Sequence, residues 1–155
     1  MIKIAIYETG ILVDGNILIE KKYYDASNAL DNQLRAGLLA AVDGFAHDAF
    51  NSTLESFTLS SYTLVAISKI LEIPVIPEES VKSHTLMIFT IIEKDTNERA
   101  VKVCMQKALD QFLNRYSVND ILTKDSKYFM KFTGRFDKIF KDLILKSEDR
   151  FSSMF

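Results

Sequence analysis

A chain of 155 residues that is 48% apolar can bury one good core and is too short for two ordinary domains, so residues 1–155 are expected to form a single domain. A net charge of −2 and a pI near 5.7 argue against a nucleic-acid binder, which carries a basic excess over the whole domain. The lone cysteine, Cys104, excludes a disulfide framework or a multi-cysteine zinc site. The N-terminal MIKIAIYETG has no basic region leading into a long apolar run. No window reaches the roughly 18 uninterrupted apolar residues of a spanning helix, and a cytoplasmic protein is expected.

In chain order, Ile2, Ile4 and Ile6 alternate with Lys3, Ala5 and Tyr7, the period-two signal of a strand with one face on a core. Gly10 is read as the break that ends this strand. Asp14-Gly15 is a strong turn dipeptide, and Ile17 to Tyr24 reads as a second strand returning antiparallel. A polar connector, Asp25 to Asn28, follows, with Ser27, Asn28 and Asp31 all suited to cap a helix.

The segment Asp31 to Phe50, DNQLRAGLLAAVDGFAHDAF, has an apolar pattern that fits a helix and covers about half its circumference at about 100° per residue. Leu34, Leu38, Ala41, Phe45 and Ala49 form one stripe, assigned to the sheet. Leu39, Val42, Ala46 and Phe50 form a second, expected to lie partly exposed and to meet another protein. The remaining arc carries Ala36, Ala40, Asp43 and His47. Arg35, Leu39, Val42, Asp43, Ala46 and Phe50 are therefore the predicted protein-interface residues. Gly37 and Gly44 let a backbone approach closely, at about 1 kcal/mol each in lost helix propensity.

Asn51-Ser52 ends this helix. Leu54 to Leu59, a Ser60-Ser61 turn, and Tyr62 to Ile70 read as strands three and four. Ile73 to Ser83 contains both prolines and reads as a long exposed loop. Leu86 to Ile92, LMIFTII, is apolar enough for a central strand covered on both faces. Lys94 to Glu98 turns into a second helix, capped by Asp95, Thr96 or Asn97, with Val101, Cys104, Met105, Ala108, Phe112 and Tyr116 in helical spacing. Ser117 to Ser126 interrupts the pattern. A third helix, Tyr128 to about Glu148, then lines up Phe129, Phe132, Phe136, Ile139, Phe140 and Leu143. The predicted order is β-β-α-β-β-β-α-α.

That order, with Leu34-x-x-Gly37-Leu38-Leu39-x-Ala41-x-x-x-Phe45 on the first helix and Phe112-x-x-x-Tyr116 closing the second, resembles the longin domain, a profilin-like fold. The match covers nearly the whole chain and is, among the longin/roadblock-type small-GTPase regulators of archaea, most similar to the stand-alone longin-type proteins and less to the shorter roadblock proteins, whose strand and helix order differs. The resemblance implies an α+β domain: a five-stranded antiparallel sheet with one helix on one face and two on the other. It implies a non-catalytic platform in small-GTPase regulation or vesicle trafficking, without a cofactor, acting as a homo- or heterodimer. A roadblock-like dimeric scaffold, or a small-ligand sensor or enzyme on a profilin-like sheet, is the alternative, because fold alone does not fix function. Within residues 1–155 no heptad coiled coil or anchor is read after the third helix, so a membrane-fusion role is not expected.

Other candidate sites favour structural roles. His47 and His84 share no motif; Cys104 sits among core-type residues; Glu78 and Glu79 read as solvated carboxylates in a proline-bounded loop. Gly10 and Gly15 do not lead into a helix, so they form no phosphate-cradling loop. The last helix carries Lys127, Lys131, Arg135, Lys138, Lys141, Lys146 and Arg150 against Asp137, Asp142, Glu148 and Asp149. This basic excess beside an aromatic stripe is compatible with peripheral contact on an anionic membrane. The terminal Phe151, Met154 and Phe155 have no assigned role.

Overall fold

The computed structural model describes residues 6–23, 37, 39–42, 44, 56–59, 62–74, 81–93 and 96–141. The described strands are β1 (Ile6–Val13), β2 (Asn16–Lys22), β3 (Ser56–Leu59), β4 (Tyr62–Pro74) and β5 (Val81–Glu93). They form one sheet in the order β2-β1-β5-β4-β3, and every neighbouring pair is antiparallel. Helical residues 37, 39–42 and 44 (α1) lie between β2 and β3 in the chain. After β5 come α2 (Glu98–Arg115), α3 (Val118–Thr123), α4 (Ser126–Phe129), a 3₁₀ turn (Met130–Phe132) and α5 (Thr133–Ile139). The class is α+β.

Two bulges set which side chains face which layer. Ile6 pairs with Ile92 and Glu8 with Ile91, so Tyr7 is the extra residue and the alternation changes phase there. Ile6 then shares a face with Thr9, Ile11 and Val13, while Glu8, Gly10 and Leu12 point the other way. On β2, Ile11 opposes Ile19 and Leu12 opposes Ile17, so Leu18 is extra. This places two consecutive residues, Leu18 and Ile19, in the same buried cluster.

The larger cluster packs Ile11, Val65, Ile88 and Ile92 of the sheet against Val101, Met105, Ala108 and Phe112 of α2 and Phe129, Phe132, Phe136 and Phe140 of the final helices. The smaller cluster, on the opposite face, joins Leu12, Ala66, Met87 and Phe89 to Leu39 of α1, with Val42 packed at its edge. Burying side chains of this size contributes about 1.5–3 kcal/mol each, so the larger layer dominates stability.

Several expectations are corrected. Gly10 does not end β1, which runs on to Val13. The expected loop from Ile73 to Ser83 is shorter, because β4 continues to Pro74 and pairs there with Val81. Ser117 to Ser126 does separate α2 from the last helices, but it holds a short helix of its own: Ser117 caps α3 by accepting from the Asp120 N–H, and Asp125 caps α4 by accepting from the Tyr128 N–H. The single third helix is instead α4, a 3₁₀ turn and α5. The tighter turn lets Phe129 and Phe132, three apart, both face the core before the four-residue steps to Phe136 and Phe140. The predicted succession β-β-α-β-β-β-α-α therefore fails after α2. Among the alternative caps of α2, Asn97 does the work, its side chain accepting from the Ala100 N–H at 3.2 Å.

Candidate functional site

Of the six predicted interface residues, Leu39 and Val42 are described, on the helix that lies over the β1–β2 hairpin. Asp14 and Gly15 have φ of 49° and 83°, the paired positive values of a type I′ turn, which matches the twist of a two-residue hairpin. The Asp14 N–H donates to the Thr85 carbonyl at 2.9 Å, and Asp14 Oδ1 accepts from the Thr85 N–H at 2.9 Å. Asp14 Oδ2 meets His84 Nδ1 at 2.6 Å. The tip is thereby tied to β5, and His84 serves as part of that tie. A Cβ on Gly15 would stand 3.2 Å from the Ala40 Cβ, so the turn passes directly under α1. Among the described residues, Leu12, Asp14, Gly15, Ala40, Thr85 and Met87 line an open pocket of about 250 Å³ at this junction.

Of the predicted interface residues, Leu39 is 1% exposed and sits in the smaller core cluster, which corrects its assignment to the exposed flank. Val42 is half-buried against the same cluster. Ala41, assigned to the sheet, is exposed, as are Gly37 and Gly44. The two stripes are thus exchanged at these positions. Leucine in place of alanine on the inward side fills the space above Phe89 that a methyl group would leave empty. Arg35, Asp43, Ala46 and Phe50 lie outside the described residues, as do His47, Glu78, Glu79, Phe151, Met154 and Phe155.

Cys104 is half-buried and packed against the larger cluster. Among the described residues no group of three or more His, Cys, Asp or Glu could hold a metal ion, and no helix is long and apolar enough to cross a membrane. On the last helices, Lys127, Lys131, Arg135 and Lys138 are exposed while Phe129, Phe132, Phe136 and Phe140 are buried, so the aromatic stripe is core.

Two features were not read from the sequence. The Tyr23 hydroxyl donates to Asp137 Oδ1 at 2.8 Å, joining the end of β2 to α5. Burial, with that hydrogen bond and the charge of Asp137 added, pushes the Tyr23 phenol well above its ordinary range. The second is a groove between the end of α2 and the start of α5, lined among the described residues by Gln111, Asn114, Arg115, Phe132 and Arg135. Its only sequence signal was the basic excess that includes Arg135. Arg115 and Arg135 are separated by two short helices in the chain, and the groove depends on how those helices fold back.

No family model matches the sequence, and no curated protein matches it.

Proposed function

We propose that the chain is a longin-type interaction platform that works by presenting surface to a protein partner, in small-GTPase regulation or membrane traffic. The observation that carries the reading is the outward face of α1. Gly37, Ala41 and Gly44 are exposed, and nothing lies within 4 Å of where a Cβ on either glycine would stand. The other side of the helix is held by Leu39 on the sheet. A bare ridge of this kind lets a second backbone approach closely, while the sheet behind keeps it rigid. A standard protein contact buries about 1,600 Å² in total, so a small GTPase or a second copy of the chain would have to meet the ridge together with neighbouring surface.

The GTPase setting rests on the longin resemblance. It requires no active-site residue from this protein, since holding switch loops in one arrangement changes nucleotide exchange through shape and charge. The test is retention of purified small GTPases from the same genome, presented nucleotide-free, GDP-bound and bound to a GTP analogue. Retention of one state by the full chain, lost in Ala41→Arg with thermal stability unchanged, is the expected result. Retention of no GTPase, or retention indifferent to Ala41→Arg, would overturn the reading.

A further inference from the structure

We propose that the groove between α2 and α5 is a binding site for a small organic oxyanion, a carboxylate or phosphate head on an apolar body, held by Arg115 and Arg135. The site lies on the face of the sheet opposite α1, so it stands or falls separately from the partner surface proposed above.

The groove has a volume of about 400 Å³, within the range of small-ligand sites, which join an apolar lining to a few convergent polar groups. Here the lining joins the buried Phe132 to two arginines, Arg115 and Arg135, and two amide residues, Gln111 and Asn114. The guanidinium fork matches a carboxylate or a phosphate with two parallel N–H donors, and such charge-assisted bonds are about twice as strong as neutral ones.

Two observations place those donors at the disposal of a ligand. Arg115 is held with its guanidinium carbon 5.7 Å from the centroid of the Tyr116 ring. That ring is itself fixed by Phe112 at 4.9 Å and Phe129 at 4.8 Å. A cation over a ring face keeps its N–H donors free for a further partner. The nearby carboxylates are engaged with other groups: Asp110 accepts from Gln106 Nε2 at 3.0 Å, and Asp137 accepts from Tyr23. Among the described residues neither arginine forms an ion pair. Two arginines lining one groove, in a chain whose net charge is −2, favour an anionic occupant. The amides can each donate and accept, which suits the group adjoining the oxyanion.

The experiment uses the full chain, labelled with ¹⁵N, and titrates phenyl phosphate, benzoate and inorganic phosphate separately. The side-chain amides of Gln111 and Asn114 and the Arg135 Nε–H are the reporters. Saturable shifts at these groups are expected with phenyl phosphate or benzoate, and the tighter of the two identifies the head group. Inorganic phosphate, lacking the apolar body, is expected to bind more weakly. Arg135→Gln should raise Kd about tenfold or more, the loss of one charge-assisted contact. Lys138→Gln, an equal charge change on an exposed residue of α5 outside the groove, should leave Kd within about twofold. Arg115→Gln tests the second fork; should it disturb folding through Tyr116, Arg135→Gln alone decides. No saturation by either aromatic anion up to about 10 mM, weaker than any useful affinity, would overturn the proposal. So would an equal loss in Lys138→Gln and Arg135→Gln, which would reduce the binding to general charge attraction.

Discussion

The Phe89 ring lies directly over Gly10 of the neighbouring strand: a Cβ built on Gly10 would come within 2.7 Å of Phe89 Cε1 and 2.9 Å of the Ile19 carbonyl oxygen. The two residues are register partners in the β1–β5 ladder, and Phe89 is fully buried beneath α1. A glycine in mid-strand normally weakens a sheet, and here it creates the space that the aromatic ring occupies.

The first prediction follows from that contact. Gly10→Ala should destabilise the protein by about 1–3 kcal/mol, the usual cost of overpacking a full core. It should lower the urea midpoint without changing the slope of the transition. Adding Phe89→Leu should restore only part of the loss, because the second obstacle is the Ile19 backbone carbonyl, which cannot rotate away. Complete restoration would mean that the ring alone sets the restriction.

A second prediction concerns two buried hydroxyls on the other face of the same strands. Thr9 Oγ1 donates to the Phe89 carbonyl at 2.9 Å, so in its 3.0 Å contact with Thr90 Oγ1 the proton must come from Thr90. The pair is therefore asymmetric. Thr9→Val strands a buried donor on Thr90 and should cost about 1–3 kcal/mol, whereas Thr90→Val leaves Thr9 with its carbonyl acceptor and should cost about 0.5–1.5 kcal/mol. The double valine variant should be more stable than Thr9→Val alone. A double-mutant cycle by chemical denaturation measures the coupling, and equal costs for the two single changes would contradict this direction of donation.

What was legible in the sequence, and what was not, divides along the same lines. The Asp14-Gly15 pair located the opening hairpin, because a turn signal is local, whereas the alternation of Ile2, Ile4 and Ile6 falls mostly outside the described residues. The phase change at Tyr7 and the passage of β1 through Gly10 were not legible, because they depend on the partner strand: one on the bulge against Ile91 and Ile92, the other on Phe89. Helical spacing found α2 and the aromatic series of the last helices. It could not show that the series is broken by a 3₁₀ turn, since Phe129, Phe132 and Phe136 fit one continuous helix nearly as well. The faces of α1 were exchanged for a related reason. Two adjacent apolar stripes give the same moment, and only the shape of the sheet beneath selects the one with Leu39. The groove of Arg115 and Arg135 depends on tertiary folding alone.

Alkaline pH provides a third prediction. The Tyr23 phenol is held above its ordinary value by burial and by Asp137, so the folded chain retains a proton that the unfolded chain releases above about pH 10. Its contribution to stability is fully present below that pH and is lost as pH rises beyond it. Tyr23→Phe removes the titrating group, so the decline of stability above about pH 10 should be shallower in the variant than in the parent. Melting temperatures measured from neutral to strongly alkaline pH decide the matter, and parallel curves would show that Tyr23 does not contribute.

The last prediction tests which face of α1 the sheet holds, and with it the surface offered to a partner. Leu39 is 1% exposed among Leu12, Ala66, Met87 and Phe89, so Leu39→Ala should leave a cavity above the sheet and cost about 2–5 kcal/mol. Ala41 is exposed on the same helix, and Ala41→Ser should change stability by no more than about 0.5 kcal/mol. Val42, half-buried at the edge of the cluster, should fall between them when shortened to alanine. Hydrogen exchange adds a second readout. Loosening the helix by Leu39→Ala should also raise exchange at the Thr85 N–H, which donates to Asp14, because the hairpin tip is packed under Ala40 through Gly15. If Ala41→Ser proved the more damaging change, the helix would be seated with the opposite stripe inward. The ridge of Gly37, Ala41 and Gly44 would then be core, and a partner would have to meet the side that carries Leu39.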